Sequence, residues 1–144
     1  MRVLMVWLLL GVTSGAGAEC NRPWDARPDL RTAWLKSDCH YQFPKRAGFA
    51  GTVRVIRLKP GTMVDRFGFP SGRFLAPDGE TYMGRSIPYD RLKIPYQRYE
   101  VVRPFRVTAG RIAAWFDQPG GGMQFQTDRP VQALIDGGYL KPAW

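Results

Sequence analysis

A chain of 144 residues has room for a single domain. Its 21 lysines and arginines against 12 aspartates and glutamates give a formal charge of +9, a balance suited to phosphate-bearing small molecules, nucleic acid or acidic membrane surfaces. With one histidine, two cysteines and no G-x-S-x-G, P-loop or strand-linked G-x-G-x-x-G pattern, the chain offers no good basis for a serine-hydrolase triad, a cysteine nucleophile, a zinc centre or a Rossmann site.

The chain opens as an export signal. Arg2 gives a positive start, Val3 to Val12 is unbroken apolar, and residues 13–18 (TSGAGA) place Ala16 and Ala18 in the pattern read by signal peptidase. The apolar run is about ten residues, against the roughly twenty needed to span a bilayer, so we expect cleavage near Ala18 and no membrane span. Glu19 removes the small-residue context in which Cys20 would be lipidated. The mature chain is then secreted or periplasmic, with about 126 residues for one modest core.

Residues 1–18 are read as signal peptide, 19–51 as an N-terminal segment, and 52–144 as the body of the fold. Cys20 and Cys39, an even count in an exported chain, read as a disulfide. Closing such a loop stabilises by about 3 kcal/mol on the chain-entropy model. We expect it to pin onto the body a segment that holds little core of its own. Within that segment, residues 29–37 (DLRTAWLKS) predict a short helix with Leu30, Ala33 and Trp34 on one face.

Strands are predicted over 52–59, where Val53 and Val55 alternate with charge, and over 98–107, interrupted by Pro104. Two more are expected at 111–116 and 123–127, joined by a turn over 117–122. Asp128 caps a helix through Val131, Ala133, Leu134 and Ile135, with Pro130 in its first turn and Gly137-Gly138 at its end. Tyr139 and Leu140 then return to the sheet. Residues 65–96 lack clear periodicity and read as a long functional loop region. The fold class is α+β: a compact, mainly antiparallel sheet with one or two short helices.

Arginine recurs beside aromatic residues in the Gly- and Pro-rich middle: Arg66-Phe67-Gly68, Gly72-Arg73-Phe74, and Arg85 ahead of Ser86-Ile87-Pro88. A guanidinium grips phosphate oxygens with paired N–H groups, and an adjacent ring stacks on a base or a nicotinamide. The combination suits a dinucleotide or single-stranded nucleic acid. Gln118-Pro-Gly-Gly-Gly-Met-Gln124 is the second feature. Gly120, Gly121 and Gly122 permit close backbone approach to a ligand, and they deliver Gln124 to the start of a strand. As bare patterns, each also fits a surface cation beside a core ring, or a wide turn.

Taken in order, these segments resemble the tuberculosis-necrotizing-toxin family of NAD glycohydrolases, which includes fungal surface NADases. The matching text is DRFG (65–68), GRFLAP (72–77), RSIP (85–88), PYQRYEV (95–101), WFDQPGGGMQF (115–125) and GGYL (137–140). The resemblance implies an α+β fold and hydrolysis of NAD to nicotinamide and ADP-ribose with no metal or added cofactor. It implies Gln124 and Arg85 in the catalytic site. It further implies Arg66, Phe67, Gly68, Phe74, Gln97, Gly121 and Gly122 around the substrate. The basic excess leaves NADP open as a substrate beside NAD; an immunity protein as partner follows by analogy with the family's toxins, and nucleic acid is not an expected ligand. Two positions depart from the pattern: Gln97 stands where toxin members carry a histidine, and Phe74 where some carry a tyrosine. Gln97 motivates a second reading, a member that binds a nucleotide or a partner without cleaving it. An RNA-directed basic toxin accounts for the charge but not for the ordered motifs.

Non-reducing proteolysis of the exported protein is expected to yield a cross-linked Cys20–Cys39 peptide. Free thiols at both positions would overturn the pairing.

Overall fold

The computed structural model describes residues 20–144; the expected signal peptide and its cleavage site lie outside them. Seven strands form one antiparallel sheet: β1 (Arg54–Leu58), β2 (Met63–Phe67), β3 (Phe74–Pro77), β4 (Tyr96–Val101), β5 (Phe105–Arg111), β6 (Met123–Gln126) and β7 (Leu140–Ala143). Their spatial order is β1-β5-β6-β3-β2-β4-β7. The expected α+β class holds. Among the described residues helix is sparse: one α-helix, α1 (Val131–Asp136), and 3-10 turns at Thr32–Trp34, Arg46–Gly48 and Met83–Arg85.

Alternation along the strands sorts the sheet into two faces. Leu75, Val64, Tyr99, Val101, Phe105, Val107, Ala109 and Phe125 turn to one side, where Val131 and Leu134 of α1 cover them. Phe74 and Gln124, one position out of phase with Leu75 and Phe125, project to the other side. The β3–β6 junction that carries them is short, with only the pairs Phe74↔Gln126 and Leu75↔Phe125.

Several expectations need correction. Pro104 does not interrupt one strand but separates two: β4 pairs with β2 and β7, whereas β5 pairs with β1 and β6. The strand expected at 111–116 ends at Arg111; beyond it Ile112 makes an isolated bridge to Phe49, and Phe116 and Asp117 turn with φ of 51° and 59°. In β1 the inward residues are Ile56 and Leu58, whereas Val55 is 66% exposed on an edge strand. The loop expected over 65–96 contains most of β2 and all of β3, central strands too short and too polar for their period to show.

The helix expected at 29–37 is reduced to the 3-10 turn Thr32–Trp34. Pro130, not Asp128, takes the N-cap position of α1, and the Asp128 carboxylate pairs with Arg129 instead. The C-terminal end follows expectation. Gly138 adopts φ of 76°, while its amide bonds Ile135 O and that of Tyr139 bonds Leu134 O, the Schellman arrangement.

The N-terminal segment shares a core with the body. Ala26, Leu30, Leu35 and Phe116 form a second buried cluster, lined by Trp34, Tyr41 and Trp115, and Phe116 is wholly buried. The Cys20–Cys39 disulfide is present, but it closes the segment on itself rather than onto the body. Arginine does the fastening. Buried Arg27 donates to the carbonyls of Ile87 (2.8 Å) and Phe116. Arg31 and Trp34 both donate to the carboxylate of Asp117, at 2.6–2.9 Å.

The Arg31 and Trp34 hydrogen bonds draw the Asp117 pKa down to about 2. A carboxylate so depressed adds stability that is present above its unfolded value, about 3.9, and is lost as pH falls through about 2. Asp117→Asn is therefore expected to lower Tm relative to wild type at neutral pH, with the difference closing between pH 4 and 2. Thermal melts followed by tryptophan fluorescence measure this, and a pH-independent difference would refute it.

Candidate active site

A buried ion pair organises the outer face. Asp65 on β2 has no exposed surface, and its carboxylate accepts from Arg85 Nη1 (2.6 Å) and Nη2 (3.0 Å), from Gly79 N (3.1 Å) and from the Tyr96 hydroxyl (2.7 Å). Arg85 donates further to the carbonyls of Glu80 (2.6 Å) and Thr81 (3.3 Å). Its guanidinium lies 4.8 Å from the centroid of Phe67, which Tyr96 (4.6 Å) and Tyr82 (5.4 Å) also contact. Burial first, and then the bond to Asp65, push the Tyr96 phenol up to about 12. The neutral phenol's contribution to stability is intact below about pH 10 and is lost as pH rises through about 12.

Arg66 contrasts with Arg85. It donates to the carbonyls of Phe69 (2.8 Å) and Phe74 (3.0 Å), and among the described residues it has no carboxylate partner. Burial pulls its pKa below the ordinary arginine value. A partly buried cation oriented by carbonyls and left without a counter-charge is a ready anion site. Gly72 makes room for it: a β-carbon there would lie 1.9 Å from Arg66 Nη2. The loop between β2 and β3 is itself tied to α1, through Val131 N to Gly72 O (2.9 Å) and Gln132 N to Pro70 O (2.8 Å). Gly68, with φ of 123°, starts that loop and donates to Pro95 O at 2.8 Å.

Arg85 and Gly72 also line a cleft of about 510 Å³, inside the 300–1,000 Å³ range usual for small-molecule sites. Its walls include Phe74, Arg85, Gln124, Arg73, Tyr89 and Gln126. An adjoining small recess, which shares Phe74, Arg85 and Gln124 with the cleft, is lined also by Asp65, Arg66 and Phe67. Five of the expected site residues thus converge: Arg66, Phe67, Phe74, Arg85 and Gln124. Gln124 also donates from Nε2 to the carbonyl of Ala47 at 2.9 Å.

The other expected positions lie elsewhere. Gln97, in register with Arg66 across β2 and β4, turns its amide to the carbonyls of Arg98 (2.7 Å) and Ala143 (3.0 Å), and it does not line the cleft. Gly121 and Gly122 do not line it either. Gly121 N bonds Ile112 O (2.8 Å), Gly122 N bonds Gly84 O (3.1 Å), and a β-carbon on Gly122 would meet Gly84 O at 2.8 Å. The glycine run therefore fits backbone against backbone to seat β6. Gln118, at the head of that motif, accepts from Ile87 N at 2.8 Å and so holds the loop after Arg85.

Sequence reasoning missed the wall made by Phe43, Pro44, Ala47 and Gly48, which belongs to the N-terminal segment. It also assigned no role to Asp65, although the residue stands directly before Arg66. A buried aspartate inside a strand was the available signal there; for the N-terminal wall no motif was available.

The protein is thus a small α+β domain with an arginine- and aromatic-lined cleft on the outer face of an antiparallel sheet. It belongs to the tuberculosis necrotizing toxin family, whose model matches residues 57–143. A relative, the conidial surface nicotinamide adenine dinucleotide glycohydrolase nadA of Aspergillus fumigatus, is 45% identical over 114 residues, covering 70% of this chain and 49% of the relative. The chain spans about half the length of that curated relative. Among solved structures, tuberculosis necrotizing toxin complexed with its immunity factor shares the fold, with a TM-score of 0.61 at 24% identity over 71% of this chain and 61% of that one.

Asp65→Asn leaves the Arg85 charge buried without a counter-ion, a change that typically costs about 3–5 kcal/mol. Urea unfolding is expected to show a loss of that order, and a loss below about 1 kcal/mol would mean that the pair is not the brace described.

Proposed function

We infer that this protein is an exported NAD glycohydrolase that releases nicotinamide and ADP-ribose, with NADP as a second substrate. The observation that carries the reading is the convergence of uncompensated Arg66, the rings of Phe67 and Phe74, and the Gln124 amide on one recess. Membership of the family and the likeness to a relative named as an NAD glycohydrolase support it.

The chemistry asks little of the protein in acid–base terms. The bond between C1′ of the ribose and the pyridinium nitrogen breaks, its electron pair returns to the ring, and nicotinamide leaves neutral. No general acid is required, unlike at an ordinary glycosidic bond. Water then adds to C1′ and releases a proton to solvent. The site has to grip the diphosphate, hold the ring and stabilise an oxocarbenium-like ribose. Arg66 takes the diphosphate, Phe67 and Phe74 shield and stack, and Gln124 addresses the ribose. Arg85, with most of its donors engaged by Asp65, Glu80 and Thr81, acts mainly by bracing the recess. No metal-binding cluster of His, Cys, Asp or Glu is found among the described residues, and the reaction as written uses none.

Gln97 motivates a second reading, nucleotide binding without cleavage, but its amide lies outside the cleft, which favours the hydrolase. We further infer export through the N-terminal signal and an immunity protein in the producing cell. The solved relative complexed with its immunity factor supports the latter.

Purified protein with the disulfide intact is expected to release nicotinamide from NAD, followed by chromatography, and Gln124→Ala is expected to lose at least about a hundredfold in kcat, the scale of a lost transition-state contact. Wild-type turnover in Gln124→Ala would remove the glutamine from the mechanism. Tight NAD binding without nicotinamide release by folded wild type would transfer the assignment to the binding reading.

A further inference from the structure

We propose that the strap formed by Pro44–Gly48 is a working part of the active cleft, and that the Ala47 carbonyl is the positioning group that fixes which end of the Gln124 amide meets substrate. The proposal rests on the glycohydrolase reading for its kinetic consequence and on geometry for its structural one.

The strap has an unusual backbone. Arg46, Ala47 and Gly48 follow one another at φ of 56°, 54° and 83°. Two of the three carry side chains that disfavour this region, and such conformations persist only where the surroundings over-determine them. Here they do. Gly48 O accepts from Ala113 N (2.8 Å), Ala50 N donates to Arg111 O (2.9 Å), and Arg46 Nη2 donates to Gly51 O (2.8 Å). Phe49, buried, bridges to Ile112. The strap is thus stitched to the end of β5, beside the cleft.

The outcome of that geometry is one hydrogen bond into the site, Gln124 Nε2 to Ala47 O at 2.9 Å. A carboxamide offers a donor end and an acceptor end, and anchoring the NH2 to a carbonyl leaves Oε1 for the cleft. An acceptor there suits both a ribose hydroxyl and the positive charge that develops at C1′, whereas a reversed amide would aim a donor at that charge. The strap lies outside the span that matches the family model, residues 57–143. This chain therefore supplies, from its own N-terminal segment, a fixture for a glutamine that belongs to the family domain.

The test compares Ala47→Val, Ala47→Asn and Ala47→Gly. Valine is β-branched and strongly disfavours positive φ, whereas asparagine, of similar bulk, and glycine accept it. Ala47→Val is expected to lower kcat by about tenfold or more with KM changed less than about threefold, and the asparagine and glycine variants to recover turnover. In parallel, the Gln124 side-chain amide resonances, identified by their loss in Gln124→Ala, are expected to shift in Ala47→Val and to hold their wild-type positions in Ala47→Asn. Wild-type kcat in folded Ala47→Val, equal losses in valine and asparagine variants, or unmoved amide resonances would each overturn the proposal. Should wild type release no nicotinamide, the glycohydrolase reading fails, and the resonances alone decide the positioning role.

Discussion

The Asp65–Arg85 pair is the constraint from which the rest of the site follows. Two charges removed from water are tolerable only when each is almost fully satisfied. Four donors converge on the one carboxylate, one from the start of β4 and three from the segment between β3 and β4. Satisfying the aspartate therefore fixes the turn at Gly79, the 3-10 turn that carries Arg85, and the Tyr96 ring. Phe67 is held between these groups, and the recess takes its shape from them. Arg66, next along the strand, also lines the recess and has no carboxylate partner among the described residues.

A second division of labour separates scaffold from site within single motifs. In Trp115 to Gln124, the tryptophan donates to Gln42 O (2.8 Å), the phenylalanine fills the second core, and the aspartate receives Arg31. Gln118 holds the Arg85 loop, the glycines settle against backbone, and only the last glutamine enters the cleft. Long motifs of this kind look like active-site text, yet most of their letters maintain the frame.

The sequence was informative where chemistry is local. The glycine end of α1 and the strand at Met123–Gln126 were legible in it, and the ordered motifs, through the family they resemble, pointed to Arg66, Phe67, Phe74, Arg85 and Gln124. It was silent where burial is decided by distant partners. β2 reads MVDRF, in which a buried aspartate and a half-buried arginine mask the alternation that would have revealed a central strand. Val53 and Val55 promised an inward face, but the edge position of β1 left Ile56 and Leu58 to do that. Phe116 and the tryptophans make a core between chain segments some eighty residues apart, which no window along the sequence detects.

Gly72 shows how an absent atom sets a chemical address. Its backbone is not in the left-handed region, so conformational freedom does not explain the glycine; the missing β-carbon does, because Arg66 occupies its space. The position behaves like the floor of a mould for a guanidinium, and any larger residue would raise that floor. A substitution survey of this chain would then mark Gly72 as intolerant although it contributes no functional group of its own. Its signal would reflect the volume reserved for a neighbour's charge, and reading it as catalysis would misplace the chemistry by six residues.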